Sequence, residues 1–251
     1  MKQLIQHLQS GKTILEDVPA PALKSGHVLI RTTTSLVSTG TEKMLVEFSK
    51  ANLITKARQN PDRVAQVLDK IKTDGLLPTL DAVFRRLDEP LPLGYCNVGE
   101  VIAVADDVNE FKIGDRVASN GTHAEFVCIP KNLVALIPEG VSDEEAAFTV
   151  VGAIALEAIR LAKPQLGDTV AVIGLGLIGL ITCQLLQASG CHVIAFDIEP
   201  QKIIIAKSLK IEAYNTNTTS IESISEGQNN GLGFDVVFVA ASAKNDNLIN
   251  I

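Results

Sequence analysis

Three glycines at fixed spacing carry the clearest chemical signal in this chain: Gly174-Leu-Gly176-Leu177-Ile178-Gly179. They follow an unbroken apolar run, Thr169-Val-Ala-Val-Ile173, and open an amphipathic pattern that continues from Leu177 to Ala188. A strand that ends in G-x-G-x-x-G and opens a helix is a phosphate-binding turn. The first glycine permits the tight turn, the second leaves room for a pyrophosphate, and the third lets helix and strand pack closely. The helix start, at Leu177 and Ile178, offers unpaired backbone amides to the anion. Asp197 follows Gly179 by 18 residues, at the end of a second apolar run that starts at Cys191. A carboxylate there accepts hydrogen bonds from the adenosine ribose and repels a 2′-phosphate. The following Ile198-Glu-Pro-Gln201 brings no arginine. The expected cofactor is therefore NAD rather than NADP, held by Gly174, Gly176, Leu177, Ile178, Gly179 and Asp197. The alternative is a glycine turn in an α/β protein that binds no nucleotide.

These residues need elements to hold them. From residue 141 onward, apolar runs alternate with helical patterns, which implies βαβ crossovers and a parallel sheet. One helix is expected from Asp143 to Ala162, and others over Leu177–Ala188 and Pro200–Leu209. Strands are expected at 169–173, 191–196 and 234–240. The first 140 residues read differently. Short strands at 12–16, 28–32, 99–104 and 124–129 are bounded by Gly and Pro, the pattern of a small barrel or sandwich. Between them, residues 42–88 read as helical. Asn60-Pro61 starts one helix, with Val64, Val67, Leu68 and Ile71 on one face. Pro78 starts another, with Leu80, Val83, Phe84 and Leu87. Their charges are read as the solvated face.

Composition narrows the function class. Lys and Arg number 22 against 29 Asp and Glu, a net charge of −7. An acidic chain with no long basic run has no general electrostatic attraction to nucleic acid or anionic lipid. Hydrophobic residues are 46% and charged residues 20%, which excludes disorder. The cysteines, at 96, 128, 183 and 191, form no C-x-x-C pair and read as reduced thiols of a cytoplasmic protein. The start of the chain is too polar for a signal peptide. Val170–Leu186 is apolar but short and broken by three glycines, so no membrane span is expected.

With these motifs in place, the chain resembles the medium-chain dehydrogenase/reductase superfamily of zinc alcohol dehydrogenases and quinone reductases. The resemblance covers nearly the whole chain. Phe111-Lys-Ile-Gly-Asp-Arg-Val117 resembles the family's F-x-x-G-D-x-V turn, Gly121-Thr-His-Ala-Glu-Phe126 its G-x-Y-A-E-Y strand, and Leu136-Ile-Pro-Glu-Gly140 its I-P-x-G segment. The implied fold class is α/β: an N-terminal GroES-like β domain over 1–140, then a Rossmann domain, a doubly wound parallel sheet, over 141–251. That sheet is expected to be incomplete, as in a truncated chain. Ser38–Met44, Thr73–Thr79 and Leu93–Gly99 are similar to a zinc-less branch of bacterial two-part oxidoreductases found in polysaccharide-biosynthesis contexts. The resemblance implies an alcohol or carbonyl substrate, sugar-related in that branch. It also implies a homodimer or a later partner domain in a longer parent chain.

Departures from the pattern bear on the chemistry. Zinc members place a cysteine where Thr39 stands, a histidine where Tyr95 stands, and a third ligand where Thr149 aligns. A catalytic zinc needs three His, Cys or acidic ligands, so no zinc is expected, and the structural-zinc lobe is absent as well. Without a metal, a protein group must handle the proton that accompanies hydride transfer. Tyr95 is the expected hydrogen-bond donor, Glu42 an orienting base, and Thr39 a further candidate. Each has a structural alternative: Tyr95 packed with its hydroxyl on backbone, Glu42 favoured simply by a helix dipole. His123 is either a proton relay or a packed side chain, and Lys131 and Lys202 read as surface lysines. Three readings follow: a zinc-independent NAD-linked oxidoreductase, an NAD-binding module without catalysis, and an inactive truncated fragment.

Overall fold

A computed structural model describes residues 1–8, 10–50 and 89–241. The chain divides into two compact units, Met1–Val150 and Val151–Ile251. The helices expected within 60–88 and the last ten residues lie outside the described residues.

Unit 1 is built from antiparallel strands. β1 (Lys2–His7) pairs with β2 (Thr13–Asp17) on one side and β4 (Pro90–Pro92) on the other. A second sheet runs in the order β7 (Phe126–Pro130), β3 (His27–Ser35), β5 (Asn97–Val104), β6 (Arg116–Ser119), β8 (Val134–Leu136). Alternation along β3 sends Val28 and Ile30 inward, where they meet Val101, Val117 and Val127 from the neighbouring strands. Burial of such side chains stabilises by about 1.5–3 kcal/mol each. Helix α1 (Thr41–Lys50) follows β3, with Glu42 in its first turn and Lys50 in its last, both favourable to the helix dipole. Buried Gln6 on β1 donates to Ser49 Oγ at 2.7 Å and so ties the far end of α1 to the first sheet.

The helix expected from 143 to 162 is two helices, α2 (Asp143–Ala146) and α3 (Thr149–Ala162). Ser142 and Glu145 form a reciprocal capping box at the start of α2. Asp143 accepts from Thr33 and Arg116, and Ala146 and Ala147 pack on Val98 and Ala118. This anchoring pins α2 to the β unit and breaks the helix. It also puts the division between units at 150 rather than 140.

Among the described residues, unit 2 has four parallel strands, β9 (Thr169–Ile173), β10 (His192–Asp197), β11 (Glu212–Asn215) and β12 (Val236–Val239), in the order β11-β10-β9-β12. Every residue of β9 is buried, as expected of a central parallel strand covered on both faces. On one face, Val170, Val172, Val193 and Ala195 pack against Cys183 and Leu186 of α4 (Leu177–Ala188) and Ile203 and Ala206 of α5 (Pro200–Ser208). On the other, Ala171, Ile173, Ile194 and Phe196 pack against Ile221 of α6 (Ile221–Glu226). From β9 the chain steps to β10 and β11 on one side and returns to β12 on the other. That reversal opens a crevice at the carboxyl ends of β9, β10 and β12, where such sheets bind ligands.

Candidate functional site

The glycine turn sits at the carboxyl end of β9. Gly174 has φ +99°, a left-handed conformation, and a Cβ there would meet the Ala241 amide nitrogen at 2.6 Å. A Cβ at Gly179 would collide with the Gly174 carbonyl oxygen, so only glycine lets α4 approach the turn. Gly176 is the opposite case: a Cβ would meet nothing within 4 Å, so the space before the helix is open. Gly176 is also the N-cap of α4 and offers no side-chain cap. No described residue accepts from the amides of Leu177 and Ile178. Tight turn, open approach and close packing thus fall on the three glycines in the order a pyrophosphate site requires. The residues present fit a dinucleotide.

Asp197 ends β10 beside this turn and is buried. Its Oδ2 accepts from the Leu175 amide at 2.7 Å and its Oδ1 from the Glu199 amide at 2.9 Å. Lys202 Nζ lies 3.1 Å from Oδ2. Burial pushes the carboxyl pKa up, but the two amides and the Lys202 ammonium outweigh it and hold it below the ordinary aspartate value. Asp197 therefore braces the glycine turn as well as presenting negative charge at its mouth. Lys202, read from sequence as a surface lysine, belongs to this cluster and tempers that charge.

In unit 1 the sequence candidates separate. Glu42 and His123 come together: Glu42 Oε2 lies 2.9 Å from His123 Nε2, with side chains 6% and 9% exposed. Glu42 Oε1 accepts from the Ser38 amide at 2.7 Å. The other ring nitrogen, Nδ1, lies 2.8 Å from Ser35 Oγ, a hydroxyl that was not a candidate from sequence. Gly94, with φ +93°, packs on the imidazole; a Cβ there would lie 2.7 Å from the ring. The His123 amide donates to Leu93 O and its carbonyl accepts from Leu4, so the backbone behind the ring is fixed on both sides. Thr39 is exposed and Tyr95 half-buried, and neither side chain makes a hydrogen bond to another described residue. Thr149 is exposed, and its hydroxyl donates to Ala146 O at 2.7 Å.

Two threonine hydroxyls and a phenol make a poor donor set for zinc, which favours thiolate, imidazole and carboxylate. Glu42 and His123, which could ligate, are turned to each other and to Ser38 and Ser35. Among the described residues no group of three or more His, Cys, Asp or Glu side chains is gathered for a metal. None of the described helices is long and apolar enough to cross a membrane. No two of the four cysteines are joined.

Two family models match the chain in succession: the alcohol dehydrogenase GroES-like domain over residues 66–139 and the zinc-binding dehydrogenase model over 178–247. The (R,R)-butanediol dehydrogenase of Bacillus subtilis (strain 168) is 27% identical over 177 residues, 59% of this chain and 51% of that one. The alcohol dehydrogenase of Geobacillus stearothermophilus is 29% identical over 201 residues, 65% of this chain and 59% of that one. The chain thus spans between half and three-fifths of the length of these relatives. Among solved structures, the alcohol dehydrogenase TADH from Thermus sp. ATN1 superposes with a TM-score of 0.74 at 20% identity, over 97% of this chain and 71% of that one. The quinone oxidoreductase from Thermus thermophilus gives 0.67 at 23%, over 100% and 69%. At these identities the likeness is one of fold. With a GroES-like unit followed by a parallel sheet carrying the glycine turn, and a family model on each, the chain belongs to the medium-chain dehydrogenase/reductase superfamily.

Proposed function

We propose that this chain binds NAD(H) and belongs to a zinc-independent oxidoreductase that moves hydride between nicotinamide and an alcohol or carbonyl. The observation that carries this reading is the glycine turn braced by Asp197 at the carboxyl ends of β9 and β10. Gly176 and the α4 amides hold the pyrophosphate, and Asp197 takes the adenosine ribose and disfavours a 2′-phosphate. When bound, the nicotinamide supplies or accepts the hydride. Unit 1 supplies the acid–base groups, with Glu42 the candidate that is already hydrogen-bonded to a partner able to move a proton. Thr39 and Tyr95 remain candidates for contact with substrate. The named activities of the relatives, on butanediol and sorbitol, favour a polyol or its ketone as the substrate class. The association proposed is a homodimer or a partner domain of a longer parent chain.

The test is calorimetric titration of the 251-residue chain with NADH and NADPH, then turnover of NAD with 2,3-butanediol and sorbitol after exhaustive chelation. Saturable binding that prefers NADH, and turnover that survives chelation, are expected. Binding without turnover on any polyol or ketone would favour a cofactor-holding module. Loss of turnover on chelation, restored by zinc, would overturn the metal-free reading.

A further inference from the structure

We propose that Asn230 is a self-modification site, where the Gly231 backbone nitrogen displaces the side-chain amide and the residue becomes isoaspartate. The inference is independent of the hydride-transfer reading and lies wholly within unit 2. An Asn followed by Gly sets an electrophilic carbon, Cγ, within ring-closing reach of the next backbone nitrogen, and glycine has no Cβ to hinder the approach. The chain has two such pairs, Asn120-Gly121 and Asn230-Gly231. The fold treats them differently. Asn230 and Gly231 are both exposed, and Leu232 after them is 88% exposed. Asn230 has φ +57° and ψ +35° and Gly231 φ +90°, a left-handed pair that Asn tolerates and Gly adopts freely. Apart from its chain neighbours, a Cβ at Gly231 would meet nothing closer than the Glu226 carbonyl oxygen at 4.0 Å. No described residue hydrogen-bonds the Asn230 side chain.

The base of this turn is clamped while its tip is not. Asn229 Nδ2 donates to Gly233 O and to Asp235 Oδ2, both at 2.9 Å, and its Oδ1 accepts from Thr169 Oγ1 at 3.1 Å. At the tip a single backbone bond resists the reaction: the Gly231 amide donates to Gln228 O at 2.8 Å. Reaction requires that bond to open and the Asn230 ψ to turn until the nitrogen faces Cγ. A solvated tip does so in a local fluctuation that leaves the sheet intact. The other pair is held. Gly121 is buried, a Cβ there would lie 2.9 Å from Val127 and 3.0 Å from Asn97, and its amide donates to Ser119 Oγ at 3.2 Å. Turning that backbone would disturb the buried Asn97 and Ser119. At Asn230 the amide proton of Gly231 passes to solvent base and the bond from nitrogen to Cγ forms. The Cγ–Nδ2 bond then breaks, and Nδ2 leaves as ammonia. Water opens the cyclic imide at either carbonyl, giving aspartate or isoaspartate. The sum is amide plus water to carboxylic acid plus ammonia, with nothing oxidised or reduced. Isoaspartate lengthens the main chain by one carbon and puts a carboxylate next in sequence to the Asn229 that holds Asp235 before β12.

The experiment incubates the 251-residue chain at mildly alkaline pH in oxygen-18 water, folded and in urea. Peptide mass mapping follows both Asn-Gly pairs, and isoaspartate is read by labelling with protein isoaspartyl methyltransferase. In the folded chain the Asn230 peptide is expected to convert at least about tenfold faster than the Asn120 peptide, because only the first pair opens locally. In urea the two rates should lie within about threefold of each other, since both are then solvated Asn-Gly pairs. Unfolding should change the Asn230 rate by less than about tenfold. Asn230→Gln, whose longer side chain closes the ring far more slowly, should remove most methyl acceptance from the folded chain and leave the Asn120 rate unchanged. Conversion at Asn230 no faster than at Asn120 in the folded chain would overturn the proposal. So would an Asn230 rate that climbs more than about tenfold in urea, which would show that the bond to Gln228 guards the site. Methyl acceptance in folded Asn230→Gln equal to wild type would overturn it as well.

Discussion

Replacing Asp197 with alanine separates two roles that ribose binding alone would merge. The side chain accepts from the buried Leu175 amide at 2.7 Å and from the more exposed Glu199 amide at 2.9 Å. Hydrogen bonds to a charged acceptor contribute about 1.5–3 kcal/mol, and an orphaned buried donor costs about the same. The Glu199 amide can turn to water, and the Lys202 ammonium, 43% exposed, is screened by solvent, so its pairing with the buried carboxylate is worth about 0–1 kcal/mol. Relief of the carboxylate's own desolvation offsets part of the loss. The expected net is about 2–3 kcal/mol, a large fraction of the roughly 5–15 kcal/mol typical of a domain. The chain has two tyrosines and no tryptophan. Tyr214 stacks on Phe196 at 6.2 Å, so in a Tyr95→Phe background its fluorescence reports unit 2 alone. With a urea slope of about 2 kcal/mol/M, the midpoint should fall by about 1–1.5 M. Asp197→Asn keeps one carbonyl acceptor and should fall about half as far. The sign with pH also follows. The folded pKa lies below its unfolded value, so the contribution is complete above about pH 4 and fades as pH falls through the folded pKa. The gap between wild type and variant should close in that acid window. Equal urea midpoints at pH 7, together with weakened NADH binding, would refute the bracing argument and leave a ribose contact only.

Gly179→Ala drives a methyl group into the Gly174 carbonyl, so NADH binding should be lost or fall by more than tenfold while far-UV circular dichroism keeps its helical signal. Retained affinity would mean the turn has slack that the geometry denies. Gly94→Ala places a Cβ on the His123 ring at a left-handed backbone position, and the strain should cost about 1–3 kcal/mol. Ring resonances of His123 should move in nitrogen-15 spectra while those of His192, in the other unit, stay fixed. Burial pushes the Cys183 thiol up to about 12. Iodoacetamide at pH 8 should therefore leave Cys183 unlabelled in the folded chain and reach the half-buried Cys128 first, read by peptide mass mapping.

The parallel sheet was legible because its strands obey one rule throughout. β9 and β10 are covered on both faces, so they read as unbroken apolar runs, and the glycine turn links the first to its helix. β11 and α6 were missed for the converse reason. Glu-Ala-Tyr-Asn at 212–215 flanks the sheet with one fully buried residue, and its periodicity is too short to register. β4 and β8, three residues each, are likewise short. The 143–162 stretch read as one helix because Val, Ala and Ile continue through it without a breaker. What ends α2 is tertiary: Asp143 held by Arg116 and Thr33, and two alanines packed on β5 and β6.

The unit 1 site was legible only in pieces, and the reason is chain distance. Glu42 and His123 are separated by 81 residues and His123 and Ser35 by 88, so no local spacing links them. Glu42 carried a weak signal, an acid at a helix start, and the dipole explanation of it holds in the structure. The same carboxylate also meets an imidazole, so the two explanations coexist in one residue rather than compete. His123 stands where the resemblance leads one to expect an aromatic side chain. A phenyl ring there would leave a buried Glu42 oxygen without a donor, at a cost of about 1–3 kcal/mol or more for a charged group. Conversely, a histidine there without Glu42 would have a buried ring nitrogen facing no acceptor. Each residue makes the other tolerable in a nearly closed site. A purely structural need could be met by two apolar side chains of similar size, often with no loss of stability. Here the polar pair is hydrogen-bonded at both ends, to the Ser38 amide and to the half-buried Ser35 hydroxyl, so neither residue leaves a buried polar atom unsatisfied.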